Sequence, residues 1–259
     1  MSRAASRPRI VSLAPSATSI LVALGARRSL VGVSKWCKHV ADVRGLPELG
    51  DCWSLDPAEV MALRPTLVIG SVPFKAETVG KLLREPVTFL AENPRSLADI
   101  YSNIRLFAAI TNRRAAGKKL IARMQKQFAA LRCAAQRTRS RPRVYCEAWP
   151  NPRISSPPWV AELVAICGGR MVVPPGQRIT DQQVARARPD VIVLAWTATG
   201  TRARTQTALN NAAWKVTPAV RNKRVHVISD ELLNTPSLPM MKGAEELFRI
   251  LHAERTLPR

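Results

Sequence analysis

Apolar and polar positions alternate between two rhythms along this chain. Short, mostly apolar runs, such as Ile10-Val-Ser-Leu13, Leu67-Val-Ile69 and Val191-Ile-Val-Leu194, read as buried strands. Between them, apolar residues return every three or four positions, as at Val160, Leu163, Val164 and Cys167, which is the period of a helix packed on one face. The predicted order in the first part is strand Ile10–Leu13, a turn at Pro15-Ser16-Ala17-Thr18, a helix ending at Gly25, and strand Leu30–Ser34. A helix follows from Asp56-Pro57 to about Leu63, then strand Leu67–Ile69, helix Lys75–Arg84 and strand Val87–Leu90. Strands separated by helices argue for a parallel α/β unit.

The middle of the chain is helical. Apolar residues at Leu97, Ile100, Ile104 and Phe107 predict one helix, and those at Ile121, Met124, Phe128 and Leu131 a second. With a break near Asn112 the second helix spans about 25 residues, roughly 37 Å at 1.5 Å per residue. Alternation resumes with strand Val144–Cys146, helix Trp159–Cys167 closed by Gly168-Gly169, helix Asp181–Ala187 and strand Val191–Leu194. Helical turns at Asn210–Val216 and Pro218–Asn222, strand Val225–Ile228 and helix Met240–His252 complete the series.

One phrase occurs twice. Ala62-Leu-Arg-Pro-Thr-Leu-Val-Ile and Ala187-Arg-Pro-Asp-Val-Ile-Val-Leu each read as a helix end, a proline break and a buried strand. Each follows a strand opened by arginine, Arg9 or Arg143, at separations of 55 and 45 residues. The fold class expected is α/β, with two similar Rossmann-like lobes built on central parallel sheets and joined by a long rigid helix. The boundaries fall at 1–95, 96–138 and 139–259, and a cleft between two such lobes is a common place to hold a small molecule.

Charge adds a second theme. Forty Lys and Arg against eighteen Asp and Glu give +22. No acid occurs between Asp99 and Glu147, where twelve residues are basic, nor between Asp190 and Asp230. Such a chain attracts anionic surfaces, but it carries no recognition helix or stacking motif for specific nucleic-acid binding. The five cysteines form no C-x-x-C pair. The three histidines match no metal or triad spacing, and no Walker A, G-x-G-x-x-G or G-x-S-x-G motif is present. We therefore expect no catalytic residue, no metal site and no required cofactor. The basic start lacks an apolar signal core, so the chain reads as cytoplasmic as written, or periplasmic if its start is truncated. A monomer is expected.

Several segments together resemble class III substrate-binding proteins of ABC importers, the group that takes up cobalamin, haem or ferric siderophores. They are Arg9-Ile-Val-Ser-Leu-Ala-Pro-Ser-Ala-Thr, Val31-Gly-Val-Ser, Val43-Arg-Gly-Leu-Pro, Glu147-Ala-Trp-Pro-Asn-Pro, Trp159-Val-Ala-Glu-Leu-Val-Ala-Ile-Cys-Gly-Gly and the two repeated phrases. Within that group the likeness is to vitamin B12-binding members, over about residues 8–253. The resemblance implies non-enzymatic binding of cobalamin or another corrinoid in the cleft between the lobes, by loops at the carboxyl ends of strands. A ferric siderophore or haem is the alternative ligand, with His39 as the loop histidine for haem. A basic interaction protein that kept the fold is a further alternative.

The ligand-binding residues expected on those loops are Pro15, Ser16, Ala17, Thr18, Trp36, Trp53, Phe74, Trp149, Trp159, Trp196 and Asp230. Trp36, Trp53 and Asp230 fall at or beside positions where relatives carry a ligand-side ring or acid. An ABC permease would dock on one acid per lobe. The aligned positions are Ala58 and Gln182, and the neighbouring acids Glu59 and Asp181 are the candidates. Relatives also show Gly-Pro-Arg where this chain has Ser237-Leu238-Pro239.

Overall fold

The protein is described from a computed structural model, covering residues 7–138, 140–197 and 204–252. It forms two compact α/β units. The first runs to Pro94 and includes Ala98–Arg123; the second comprises Arg95–Leu97 and the chain from Met124 onward.

In the first unit, strands β1 (Ile10–Ser12), β2 (Leu30–Ser34), β3 (Glu48–Leu49), β4 (Leu67–Ser71) and β5 (Thr88–Glu92) form one sheet in the order β3-β2-β1-β4-β5, every pair parallel. Helices α1 (Pro15–Ala23), α2 (Pro57–Ala62) and α3 (Ala76–Leu82) make connections between strands, and α4 (Leu97–Ile110) follows β5. Val11, Leu13, Val60, Val68 and Leu82 form one core cluster beside the sheet. The predicted turn at Pro15–Thr18 is instead the first turn of α1. Pro15 takes the first helical position, where a missing N–H costs nothing, and Ala14 stands before it as an uncapped N-cap. Ser16 and Thr18 read as cap residues, but their hydroxyls point into the protein.

In the second unit, β6 (Arg143–Pro150), β8 (Arg170–Met171), β9 (Val191–Leu194) and β10 (Val225–Val227) are parallel, with β6 between β8 and β9. Strand β7 (Arg153–Ser155) folds back antiparallel on the end of β6. This hairpin has no counterpart in the sequence reading, and it makes Trp149 a strand residue rather than a loop residue. Helices α6 (Pro158–Ile166), α7 (Asp181–Ala187), α8 (Thr205–Leu209), α9 (Pro218–Arg221), α10 (Asp230–Leu233) and α11 (Met240–His252) surround the sheet. Tyr145, Ile192, Leu194 and Trp214 are central to its core. Helix α5 (Arg114–Gln136) begins in the first unit and ends in the second.

The repeated phrase has a physical basis in each unit. Arg64 and Arg188 both sit at positive φ, 47° and 44°, just past the ends of α2 and α7. A residue before proline is disfavoured in the right-handed helical region, which favours ending the helix there. The left-handed residue turns the chain sharply into β4 or β9. The strand-opening arginines then tie each first strand to this corner. The Arg9 N–H donates to Thr66 Oγ1 at 3.0 Å and its guanidinium to the Leu63 and Arg64 carbonyls. The Arg143 N–H donates to Asp190 Oδ2 at 2.8 Å, and its guanidinium pairs with the same carboxylate at 3.0 Å.

Candidate ligand-binding surfaces

In a parallel sheet every strand ends on the same edge, and the loops leaving that edge lie side by side. The strand order of the first unit reverses direction between β1 and β4, so a crevice is expected outside their carboxyl ends. Pro15 follows β1, Trp36 follows β2, Trp53 follows β3 and Phe74 follows β4. All four therefore belong to this edge.

Of the residues at the head of α1, only Pro15 is more than marginally accessible. Ser16, Ala17 and Thr18 are buried. The Ser16 hydroxyl donates to the carboxylate of Glu92, the last residue of β5, and Asn103 Nδ2 donates to its other oxygen at 3.1 Å. Burial pushes the Glu92 carboxyl up to about 7, and hydrogen bonds from Ser16, Asn103 and the Ala17 N–H offset only part of that rise. Thr18 donates to Ser12 Oγ at 2.8 Å and approaches Cys37 Sγ at 3.0 Å. These side chains brace α1 against the sheet, so the expectation that Ser16, Ala17 and Thr18 face a ligand does not fit their burial.

The rings behave differently. Trp53 is 56% exposed and Phe74 40%. Trp36 is half-buried, and its indole N–H donates to Asp51 Oδ2 at 2.8 Å. The other Asp51 oxygen accepts from the Trp53 N–H and the Ser54 hydroxyl, each at 3.0 Å. Asp51 thus ties the Trp36 and Trp53 loops together. Burial raises its pKa, but hydrogen bonds from Trp36, Trp53 and Ser54, with Lys35 nearby, bring it below the usual carboxylate value. The Lys75 N–H donates to the Cys52 carbonyl and Thr78 to the Trp53 carbonyl, each at 3.2 Å, which joins the Phe74 loop to the same assembly. Lys35 Nζ lies 5.2 Å from the Trp36 ring, and exposed His39 has its ring 6.3 Å from it.

In the second unit the carboxyl edge is organised around Glu147, which is fully buried near the end of β6. Tyr145 donates to it at 2.7 Å and the Trp196 indole N–H at 2.9 Å, and the Arg153 guanidinium forms an ion pair with it. Arg153 also pairs with Asp181 at 2.9 Å and lies 4.4 Å over the Trp214 ring. Asp181 accepts from Asn211 at 3.1 Å. Burial opposes ionisation of Glu147, but the adjacent Arg153 is held in its charged form, so the two are an ion pair.

Trp149, next to last in β6, is 38% exposed, and its indole N–H is taken by the Asn151 carbonyl at 2.8 Å. Trp196 follows β9 and is half-buried beside Glu147. Two expectations are corrected. Trp159 is only 7% exposed in the first turn of α6, its N–H bonded to the Leu233 carbonyl at 2.9 Å, so it belongs to the core. Asp230 is 8% exposed and opens α10, so it is not an open loop acid.

Of the two docking candidates, Glu59 is exposed on the first turn of α2, whereas Asp181 is spent on Arg153 and Asn211. Among the described residues no three His, Cys, Asp or Glu gather as a metal site. No helix there is long and apolar enough to cross a membrane.

The sequence reading missed Asp51, Glu92, Glu147 and Arg153. A signal existed for two of them. Asp51 with Ser54 three residues on is a local side-chain turn, and Glu147 is a charge inside an otherwise apolar strand.

Comparison with known proteins accords with this architecture. The chain is 25% identical over 237 residues to a vitamin B12-binding protein of Vibrio parahaemolyticus, covering 88% of this chain and 84% of that one. It is 24% identical to an uncharacterized ABC transporter substrate-binding lipoprotein of Bacillus subtilis, covering 95% and 80%. Among solved structures it matches a periplasmic heme-binding protein of Roseiflexus at TM-score 0.82 and 24% identity, covering 96% and 99% of the two chains. It matches the periplasmic vitamin B12-binding protein of Vibrio cholerae at TM-score 0.75 and 22% identity, covering 96% and 98%. The periplasmic binding protein family model spans residues 10–232, so with two α/β units and ring-bearing loops at their strand ends, the chain belongs to that family.

Proposed function

We propose that this protein binds a corrinoid, or a related tetrapyrrole, without chemically changing it and presents it to an ABC permease. The observation that carries the reading is the set of rings at the carboxyl edge of the first sheet. Trp36, Trp53 and Phe74 stand on loops joined through Asp51 and Cys52, and two of the rings are open to solvent. Trp149 and Trp196 occupy the corresponding edge of the second sheet. A broad, flat ligand with amide arms needs aromatic faces and a few donors rather than a base or nucleophile. The carboxylates nearest these edges, Asp51, Glu92 and Glu147, already hold hydrogen bonds within their own units, which favours binding over catalysis. Glu59 is the acid available for docking. The named relatives include periplasmic proteins and a lipoprotein, which favours the periplasmic option over the cytoplasmic one.

Titration with cyanocobalamin tests this. Saturable quenching of Trp fluorescence with a shift in the corrin absorbance is expected, with a Kd of about 1 µM or tighter. No change at high micromolar ligand overturns the corrinoid reading.

A second reading, haem, is favoured by exposed His39 beside Trp36 and by the net charge of +22, which suits anionic propionates. A Soret shift with haemin that disappears in His39→Ala supports it; a shift that survives the substitution removes His39 from the site.

A further inference from the structure

We propose that the first unit carries a second binding site, for a compact and multiply charged phosphate-type anion, at the edge of its sheet opposite the rings. Helix α1 runs from the carboxyl edge of the sheet back to the amino edge, and a depression of about 440 Å³ lies where it ends. Its lining includes Arg7, Arg27, Arg28 and Arg113, with the hydroxyl residues Ser29 and Thr111, and among the described residues no carboxylate. Arg7 precedes β1, Arg27 to Ser29 precede β2, and Thr111 and Arg113 flank the turn between α4 and α5.

Four guanidinium groups share this hollow; the Asp42 carboxylate is within electrostatic reach of Arg27, but it is hydrogen-bonded and ion-paired to Arg44. Arg7, Arg28 and Arg113 are exposed, and none forms an ion pair with a carboxylate among the described residues. Arg27 is half-buried. Its Nε donates to the Asp42 carbonyl at 3.0 Å and another of its nitrogens to the Arg44 carbonyl. Those carbonyls fix the fork in place but do not cancel its charge. The Asp42 carboxylate is itself held by Arg44 at 2.9 and 2.8 Å. No acid occurs anywhere from residue 100 to residue 146, so the segment on either side of Arg113 supplies no counter-charge of its own.

A cation near the end of α1 is ordinary, because helix C-termini favour positive charge. One arginine meets that need; four do not follow from it. Guanidinium forks bind phosphate oxygens in pairs, so several converging on one hollow suit a di- or polyphosphate group better than a single carboxylate. The shared chemistry is a phosphate cluster, whether on a soluble compound or on a lipid headgroup.

Calorimetry with inorganic pyrophosphate tests the site on the full chain, with no tetrapyrrole present, so the outcome is independent of the ligand-binding reading above. The double variant Arg28→Glu/Arg113→Glu is compared with Arg84→Glu/Arg186→Glu, which changes net charge equally at exposed positions elsewhere. Circular dichroism melts check that both remain folded. The proposal expects saturable binding by the parent, a loss of about tenfold or more in the first variant and little change in the second. Equal losses assign binding to overall charge and overturn the site, as does no binding by the parent. Vesicles containing phosphatidate distinguish the source. Vesicle binding that depends on Arg28 and Arg113 and that pyrophosphate displaces supports a headgroup. Pyrophosphate binding without vesicle binding supports a soluble anion.

Discussion

Two buried carboxylates show how a single residue's surroundings set its behaviour. The Glu92 carboxylate lies at the head of α1 with no cation among the described residues acting on it, and burial raises its pKa from 4.5 to about 7. The folded state therefore holds a proton that the unfolded state releases between those values. The stability tied to that proton is complete below about pH 4.5 and is lost as pH rises through about 7. Glu92→Gln keeps a neutral group there at every pH. It should exceed the parent in stability at pH 8 by up to about 3 kcal/mol, with the advantage gone near pH 4. Urea midpoints measured across pH check this, and a difference that does not vary with pH refutes the assignment. Glu147 is the opposite case, since Arg153 compensates it. Arg153→Met strands a buried carboxylate and should cost about 3–5 kcal/mol. Arg153→Met combined with Glu147→Gln should cost much less, and a denaturation cycle of the four proteins measures the coupling. Additive losses would mean that the pair acts separately.

At the scale of elements, the repeated corner explains both what sequence patterns revealed and what they hid. The helix–proline–strand phrase was readable because proline, a left-handed residue and an apolar run act over neighbouring positions. Replacing Arg188 by Gly should raise stability by about 0.5–1 kcal/mol, because glycine takes positive φ without the Cβ clash. A thermal melt of Arg188→Gly decides it; a lower midpoint would show that the arginine side chain is needed there. Helix α11 supplies a test of packing. A Cβ on Gly243 would overlap the Leu232 carbonyl in α10, well inside van der Waals contact, and backbone there has little room to yield. Gly243→Ala should therefore cost about 2 kcal/mol or more by urea denaturation, although alanine is the better helix former. What the sequence concealed depends on distant partners. Ser16 looked like a cap because its acceptor, Glu92, lies 76 positions away. Trp159 looked like a ligand ring because the Leu233 carbonyl that takes its N–H is 74 positions away. The β6–β7 hairpin was invisible because β7 is three residues long and lacks an apolar run.

For the molecule as a whole, the two-unit α/β plan was legible because its periodicity repeats over long stretches, while the ligand's identity depends on side chains that periodicity does not constrain. Net charge offers a way to separate the ligand classes. At +22 the protein attracts anions over a range that salt shortens. Cyanocobalamin has no net charge, so its affinity should change little between about 20 mM and about 500 mM NaCl. Haem with two propionates, or an anionic ferric siderophore, should bind several-fold more weakly at the higher salt, chiefly through slower association. Kd measured by Trp fluorescence at both salt concentrations gives the slope for each ligand. A steep slope for cyanocobalamin would mean that the corrinoid is held near charges its chemistry does not call for. A flat slope with tight binding would assign the contact to the rings of Trp53 and Phe74, and truncating both to alanine should then weaken it by about tenfold or more.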